Sequence, residues 1–98
     1  MRLFLDVHDK DHSTFPPELS PAQFEQFFAL FEAACAVEGV VIVRTHVGYR
    51  EGRAFCLTMA PDADAVRRAH DRVGLGFDSI TEVETASPND TFFRRIAL

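Results

Sequence analysis

The most constraining feature of this sequence is the order in which strand-like and helix-like patterns follow one another. Residues 3–8 alternate with a period of two, which predicts a strand with two different faces. Residues 40–47 and 54–59 predict two further strands, and the turn at 49–52 joins them as a hairpin. Residues 79–84 alternate more loosely and predict a fourth strand.

Two helical patterns separate these strands. Ser20-Pro21 supplies an N-cap hydroxyl and a proline at the first helical position, which predicts a helix over about residues 21–38. Acidic residues at the start of segment 62–73 and a glycine after it predict a second helix there. Before the first helix, residues 9–20 contain two prolines and predict a long irregular loop. The apolar stripe of the first helix, which is expected to pack into the core, comprises Phe24, Phe27, Phe28, Phe31 and Cys35.

The predicted order β-α-β-β-α-β is that of the ferredoxin-like, split βαβ arrangement. We expect a four-stranded antiparallel sheet, in the strand order four, one, three, two, with both helices on one face. A chain of 98 residues supports one core rather than two, so we expect a single α+β domain over residues 1–98. Its core spans about residues 2–84. The C-terminal extension, residues 85–98, contains apolar residues that need cover from the sheet edge or from a second subunit.

Charge and cysteine content exclude several classes of protein. Ten lysines and arginines against fifteen acidic residues give a net charge of −5, which argues against a nucleic-acid partner. No stretch approaches the roughly 20 apolar residues of a membrane span, and no signal peptide is recognisable at the N-terminus. Cys35 and Cys56 lack the Cys-x-x-Cys spacing, so a reduced compartment is the simpler interpretation. We therefore expect a cytoplasmic protein with no membrane and no nucleic-acid partner.

Alternation also assigns residues to the two faces of the sheet. The more consistently apolar set is expected to face the helices and comprises Leu3, Leu5, Val7, Val41, Val43, Val47, Phe55, Leu57 and Met59. The complementary set is expected on the open face and comprises Phe4, Asp6, His8, Ile42, Arg44, His46, Ala54, Cys56 and Thr58. On this assignment the open face is apolar at one end and polar at the other.

Three of the four histidines are predicted to meet at one end of the domain. His8 ends the first strand and His46 lies near the end of the second, parallel strand, so both are expected on the open face. His70, near the end of the second helix, reaches the same end if the loop at 75–79 brings it close. With Asp6 these imidazoles form a borderline ligand set that nickel, copper, zinc and cobalt accept. We predict a metal site formed by His8, His46, Asp6 and His70.

Structural roles compete with this metal site. A histidine at a strand end is more often solvated or hydrogen-bonded than a ligand, and Asp6 and Arg44 could form an ion pair across the sheet. Cys56 is either a small core filler or, beside a histidine, part of a thiolate pair. His12 lies in the loop and reaches a site only if that loop folds over it. The sequence has no phosphate loop, nucleophile elbow or metalloprotease motif, so an enzymatic function has no identified catalytic group.

Several short segments carry a family resemblance and occur in the right order. They are Leu3-Phe4-Leu5-Asp6-Val7-His8, Arg53-Ala54-Phe55-Cys56-Leu57, Ala60-Pro61-Asp62-Ala63-Asp64-Ala65-Val66, His70, Gly74-Leu75 and Ile80-Thr81-Glu82-Val83. The chain resembles, over about residues 2–84, a family of small bacterial proteins that includes a nickel-binding protein with a dimeric ferredoxin-like fold. The family's Asp-x-His pattern matches Asp6 and His8, and its helix-two histidine matches His70. The long first loop, His46 and the C-terminal extension depart from the pattern.

The resemblance implies a divalent transition metal, nickel first, as the bound cofactor and a function in metal storage or homeostasis. It also implies a homodimer with α+β-barrel-type packing, which agrees with the tendency of open sheet faces to pair. The alternative is a dimeric α+β-barrel enzyme or small-molecule-binding module in which the open face encloses an organic ligand. In that alternative His8, His46 and Arg44 orient an anionic ligand or transfer a proton, and Arg44 and Cys56 are candidate substrate-binding residues.

Overall fold

A four-stranded antiparallel sheet forms one layer of the protein and two helices form the other. The structure is a computed structural model that describes residues 1–88. Its elements are β1 (Arg2–Asp9), a short 3-10 helix (Lys10–His12), α1 (Pro21–Val37), β2 (Val41–Gly48), β3 (Arg53–Ala60), α2 (Ala63–Arg72) and β4 (Ser79–Val83). The strand order is β2-β3-β1-β4, with every neighbouring pair antiparallel. The predicted ferredoxin-like α+β class and strand order are confirmed. The predicted cover for the aromatic C-terminal residues concerns positions 91–98, outside the described residues.

Helix α1 is held at both ends by side chains. At its start Gln23 N–H donates to Ser20 Oγ (3.2 Å) and Ser20 N–H donates to Gln23 Oε1 (3.0 Å), which satisfies two backbone donors that the first turn leaves unpaired. At its end Glu38 accepts from Arg68 (2.7 Å) and Arg72 (2.6 Å), both on α2. These contacts tie α1 to α2 above the sheet.

The core between the helices and the sheet is built from small side chains and a few aromatic rings. Helix α2 contributes Ala65, Val66 and Ala69, all fully buried. The sheet and α1 contribute Phe4, Phe31, Cys35, Cys56 and Ala60. Because alanines on α2 meet small residues on β3, the helix packs close to the sheet. Among residues 1–88, neither helix combines the length and the apolar character that crossing a membrane requires.

The predicted assignment of sheet faces was wrong for β1 and β3. The residues that face the helices and are buried are Phe4, Asp6, His8, Ala54, Cys56, Thr58 and Ala60. The residues on the open face, which keep partial or greater exposure, are Leu3, Leu5, Val7, Phe55, Leu57 and Met59. Both faces of these strands carry apolar side chains, so alternation alone does not show which face the helices cover. On β3 the set beneath the helices is the smaller one, whereas on β1 it includes Phe4, the largest of the fully buried side chains.

Strand β2 contains a bulge, after which the alternation of its side chains between the two faces of the sheet is shifted by one residue. Ile42 pairs with Thr58, but the next paired residue, Arg44, meets Leu57, so Val43 is an extra residue in β2. Beyond this bulge Thr45 and Val47 pair with the buried residues of β3, and Arg44 and His46 lie on the open face. The predicted facing is therefore correct for Arg44, His46 and Val47. It is wrong for Ile42, which lies on the helix side, and for Val41, which pairs with Met59 on the open face.

Candidate metal centre

Three ionisable side chains meet beneath helix α2, in the interior of the protein. Asp6 and His70 have no solvent exposure, and His8 is 5% exposed. One ligand atom from each of these residues lies within 4.8 Å of the others. A buried carboxylate with two buried imidazoles is a costly arrangement in a core of this size unless the groups bind one another or an ion.

The positions of these residues follow from the secondary structure. Asp6 and His8 are two residues apart on β1, so both point to the helix side of the sheet. His70 lies in the last turn of α2, directly above them. The segment after α2 then turns back over His8, fixed by Leu75 N–H donating to the His70 carbonyl (3.0 Å) and Asp78 N–H donating to the Val7 carbonyl (2.7 Å). The predicted approach of His70 to His8 is therefore present.

Backbone carbonyls determine which ring nitrogen of each histidine carries hydrogen. Nδ1 of His8 lies 2.7 Å from the Gly76 carbonyl and 3.2 Å from the Thr14 carbonyl, and Nδ1 of His70 lies 2.7 Å from the Val66 carbonyl. A carbonyl oxygen only accepts, so Nδ1 is the N–H of each ring. In the neutral ring Nε2 is then a bare lone pair.

Both Nε2 atoms converge on the same carboxylate oxygen. Nε2 of His8 lies 2.6 Å from Asp6 Oδ2, and Nε2 of His70 lies 3.0 Å from it. With Nδ1 carrying the hydrogen, each contact sets a lone pair against a lone pair unless a positive charge lies between them. A proton or a metal ion supplies that charge. The other oxygen, Asp6 Oδ1, is buried and has no hydrogen-bond partner among the described residues.

The carboxylate of Asp6 and the imidazole of His8 favour each other's charged forms. Burial alone would raise the pKa of Asp6, but the hydrogen bonds from His70 and His8 outweigh it and hold this pKa below its usual value. Burial alone would lower the pKa of His8, but its hydrogen bond to Asp6 and its contacts with the Gly76 and Thr14 carbonyls raise it. The centre thus holds negative charge on Asp6 and attracts a cation.

These residues fit a transition-metal ion in three respects. Two imidazole nitrogens and one carboxylate oxygen are the donor types that nickel, zinc and cobalt accept. Histidine ligands of metals commonly donate their other N–H to a backbone carbonyl, as both do here. Metal bonds of about 2.1 Å place neighbouring ligand atoms about 3 Å apart, close to the separations of Asp6 Oδ2 from each Nε2.

Aromatic rings enclose the centre on its remaining sides. The rings of His8 and His70 stack with centroids 5.4 Å apart. Phe31 and Phe77 meet the His70 ring edge to face, at 4.8 and 5.1 Å. These contacts fix the orientation of the imidazole of His70 and keep water from it, which strengthens electrostatic interactions at the centre.

The structure does not bring two of the predicted site residues to this centre. His46 pairs with Phe55, whereas His8 pairs with its neighbour Ala54, so the two histidines lie on opposite faces of the sheet. Arg44 is exposed on the same open face as His46. The predicted common face of His8 and His46 was wrong because the facing of β1 was inverted.

Cys56, a candidate substrate-binding residue, is buried beneath the helices. Its sulfur accepts a hydrogen bond from the Thr45 hydroxyl (3.2 Å). Burial, reinforced by the nearby Asp6 carboxylate, raises the pKa of the Cys56 thiol to about 12. A thiol with this pKa is protonated at neutral pH and is a poor nucleophile, so Cys56 fits the role of core filler.

His12 does not join the centre but anchors the first loop beside it. Its Nδ1 lies 2.6 Å from Asp78 Oδ2, and the Thr14 hydroxyl donates to Asp78 Oδ1 (2.6 Å). His12 and Asp78, which are exposed, form a second group of potential ligands with the buried Asp9. Sequence reasoning missed the roles of Asp78, Thr14 and Gly76, since their spacing in the chain carries no recognisable signal.

Fold and centre together define a class: small ferredoxin-like α+β proteins with a buried aspartate and two histidines between sheet and helix. Residues 4–83 match the family described as nickel responsive proteins like SCO4226. The chain therefore belongs to the SCO4226-like family, and the predicted resemblance is confirmed.

A solved structure supports the same assignment. The crystal structure of SCO4226 from Streptomyces coelicolor A3(2) superposes with a TM-score of 0.73 at 28% sequence identity. The match covers 87% of this chain and 99% of that chain. A comparison with curated protein sequences gives no match.

Proposed function

We propose that this protein binds a nickel ion through Asp6, His8 and His70 and serves in metal storage or homeostasis. The observation that carries the proposal is the convergence of two imidazole lone pairs on one buried carboxylate oxygen. Each imidazole is held in the tautomer that a metal ion requires by a backbone carbonyl behind it.

The donor set and the family favour nickel over other ions. Magnesium and calcium prefer sets made only of oxygen, and a structural zinc site usually has four protein ligands. Imidazole nitrogens suit nickel, copper and zinc, and the family to which the chain belongs is described as nickel responsive. A bound nickel ion would supply Lewis acidity, but no described residue beside the centre is placed to act as a nucleophile toward a substrate.

The chain's own residues would make binding sensitive to protons. Before an ion binds, any proton held between Nε2 of His8 and Asp6 must leave, so binding releases protons. The burial of Asp6 and His70 removes competing water, and the enclosing rings hold the ligands in position. Slow exchange and tight retention are the properties that storage requires.

We also propose that the protein forms a homodimer through the open face of its sheet. Val41, Val43 and Phe55 on β2 and β3 are exposed there, and Leu57 on β3 and Leu5 on β1 are half-buried beside them. A contiguous apolar face of this kind is rarely left in water by a soluble protein. A second copy of the same face covers it symmetrically.

Calorimetric titration of the metal-free chain with nickel chloride tests the metal proposal. We expect one ion per chain and a loss of affinity greater than about 100-fold in His8→Ala and His70→Ala, because even removing an outer-shell partner commonly costs about 10- to 100-fold. His46→Ala is the matched control, since it removes an exposed imidazole from the opposite face. X-ray absorption at the nickel edge should show imidazole scattering in the wild type.

Two results would contradict the proposal. One is the absence of bound nickel in the wild-type chain at micromolar concentration. The other is retention of full affinity in His8→Ala with circular dichroism showing an intact fold. A larger loss in His46→Ala than in His70→Ala would move the site to the open face.

A further inference from the structure

A cavity of about 440 Å³ lies on the helix side of the sheet, beside the candidate metal centre, with which it shares His8 as a wall. Its walls come from α1, the segments 13–19 and 74–76, and residues of β1, β2 and β3. This volume falls in the range of about 300–1,000 Å³ that is typical of pockets for small organic ligands.

The walls are largely aromatic. The phenylalanines that line the cavity are Phe15, Phe24, Phe27, Phe28 and Phe31. Phe31 is buried in the core as expected, but Phe24, Phe27 and Phe28 are only half-buried. The apolar stripe of α1 therefore divides into a core part at its C-terminal half and a cavity wall at its N-terminal half.

The segment 13–19 forms the roof of the cavity, and hydrogen bonds and prolines hold this segment away from the sheet. Lys10 N–H donates to the Gly52 carbonyl (2.8 Å), and Thr14 and His12 are bonded to Asp78. Pro16-Pro17 follows in the roof and restricts its backbone. These anchors fix the roof at both edges, so the phenylalanines do not close the space by collapse.

The polar groups at the cavity are few and mostly engaged. The Thr45 hydroxyl donates to Cys56, and both ring nitrogens of His8 have partners. Lys10 is different: it lines the cavity, is exposed to solvent and forms no ion pair among the described residues. The stem of Lys10 packs against Gly52, where any side chain larger than hydrogen would collide with it.

We propose that this cavity binds a small amphipathic organic anion, with its apolar body among the phenylalanines and its carboxylate at Lys10. The charge of the cavity favours an anion because Lys10 is its permanent cation and no acidic residue lines it. His8 is a shared wall, but its nitrogens face Asp6 and the Gly76 carbonyl, so the ligand does not require a metal ion.

The test uses the full chain and two matched probes, sodium decanoate and the neutral decanol, by calorimetry and by NMR. We expect decanoate to saturate one site per chain, with nuclear Overhauser effects to Phe24 and Phe28. Lys10→Gln should weaken decanoate about two- to fivefold, the range of an exposed ion pair, and leave decanol unchanged. Arg44→Gln is the control, because it removes a cation from the opposite face.

A second variant tests the space itself. Ala54→Leu adds bulk to a buried residue of the cavity floor and should reduce the affinity for both probes while circular dichroism shows the fold retained. Absence of saturable decanoate binding overturns the proposal, as do Overhauser effects confined to Leu5 and Leu57 on the open face. Decanoate affinity should be the same with and without nickel chloride, so failure of the metal proposal leaves this result interpretable.

Discussion

Nε2 of His70 on helix α2 lies 3.0 Å from Oδ2 of Asp6 on strand β1, and this contact crosses the interior from one layer of the protein to the other. The same oxygen lies 2.6 Å from Nε2 of His8. One carboxylate oxygen thus sets the electrostatics of two imidazoles, which leads to predictions for both protons and metal ions.

Asp6→Asn is expected to lower the pKa of His8. Burial opposes the charged imidazole, and in the wild type the hydrogen bond to the carboxylate overcomes this opposition. Without the carboxylate's charge, burial prevails and the pKa falls. NMR titration of the His8 ring protons measures this change, with His46 on the opposite face as an internal control. An unchanged His8 pKa in the variant would contradict the assignment.

Nickel affinity is expected to fall as the pH is lowered, beginning above pH 6.5. Metal binding needs Nε2 of His8 without its proton, and the folded pKa of His8 is raised above the ordinary 6.5. Below that raised pKa, each pH unit should weaken binding about tenfold for each proton displaced. Competition titrations over about pH 5 to 8 check the slope. Affinity that increases on acidification would indicate an anion held by charged histidine instead.

The ion pair of His12 with Asp78 is expected to make folding stability depend on pH. The hydrogen bond to Asp78 raises the pKa of His12, so its stabilisation is complete below pH 6.5 and is lost as pH rises through the folded pKa. Hydrogen bonds from His12 and Thr14 lower the pKa of Asp78, so its stabilisation is complete above pH 3.8 and is lost as pH falls below 3.8 and through the lower, folded pKa.

Denaturant unfolding at several pH values measures this dependence. Asp78→Asn should be less stable than wild type, by the largest margin between the two ordinary pKa values, about pH 4 to 6.5. His12→Asn should lose the part of the wild-type folding stability that depends on pH near neutrality. A difference between wild type and Asp78→Asn that grows above pH 8 would be inconsistent with the pair.

Ser20→Ala is expected to reduce the free energy of unfolding by about 1 kcal/mol, because it leaves the Gln23 N–H at the start of α1 without its acceptor. Ser20→Gly is the matched comparison and should cost only a few tenths of a kcal/mol. Urea denaturation midpoints separate the two variants. Equal midpoints would show that the capping hydroxyl does not contribute.

Leu57→Lys is expected to convert the proposed homodimer into a monomer. Leu57 lies on the open face of β3, a central strand, and a charge there cannot be buried against a second copy without a large desolvation cost. Light scattering at micromolar concentration measures the mass. Ala29→Lys, at an exposed position on α1, should leave the mass unchanged. A monomeric wild-type chain would refute the dimer directly.

The order and type of the elements could be predicted because their signals are local. Ser20-Pro21 marks the start of α1, and the β-branched run in β2 and the period of two in β1 follow from side-chain geometry. Topology then placed His8 and His70 at the same end of the domain, which the structure bears out.

The facing of the strands could not be predicted because it depends on packing between distant elements. Large apolar residues such as Leu57 are expected in the core, but the residue of β3 that packs there is the small Ala60, whereas on β1 it is Phe4. The bulge at Val43 has no sequence marker such as glycine. Similarly, nothing near Asp78 in the chain indicates that it holds the first loop.

The separation of Asp6 from His70 by 64 positions has a consequence for biosynthesis. Asp6 and His8 leave the ribosome long before α2 exists, and β1 has no neighbouring strand until β3 follows. A nascent chain therefore carries only two of the three proposed ligands until α2 is synthesised, so the complete ligand set forms only when α2 packs onto β1.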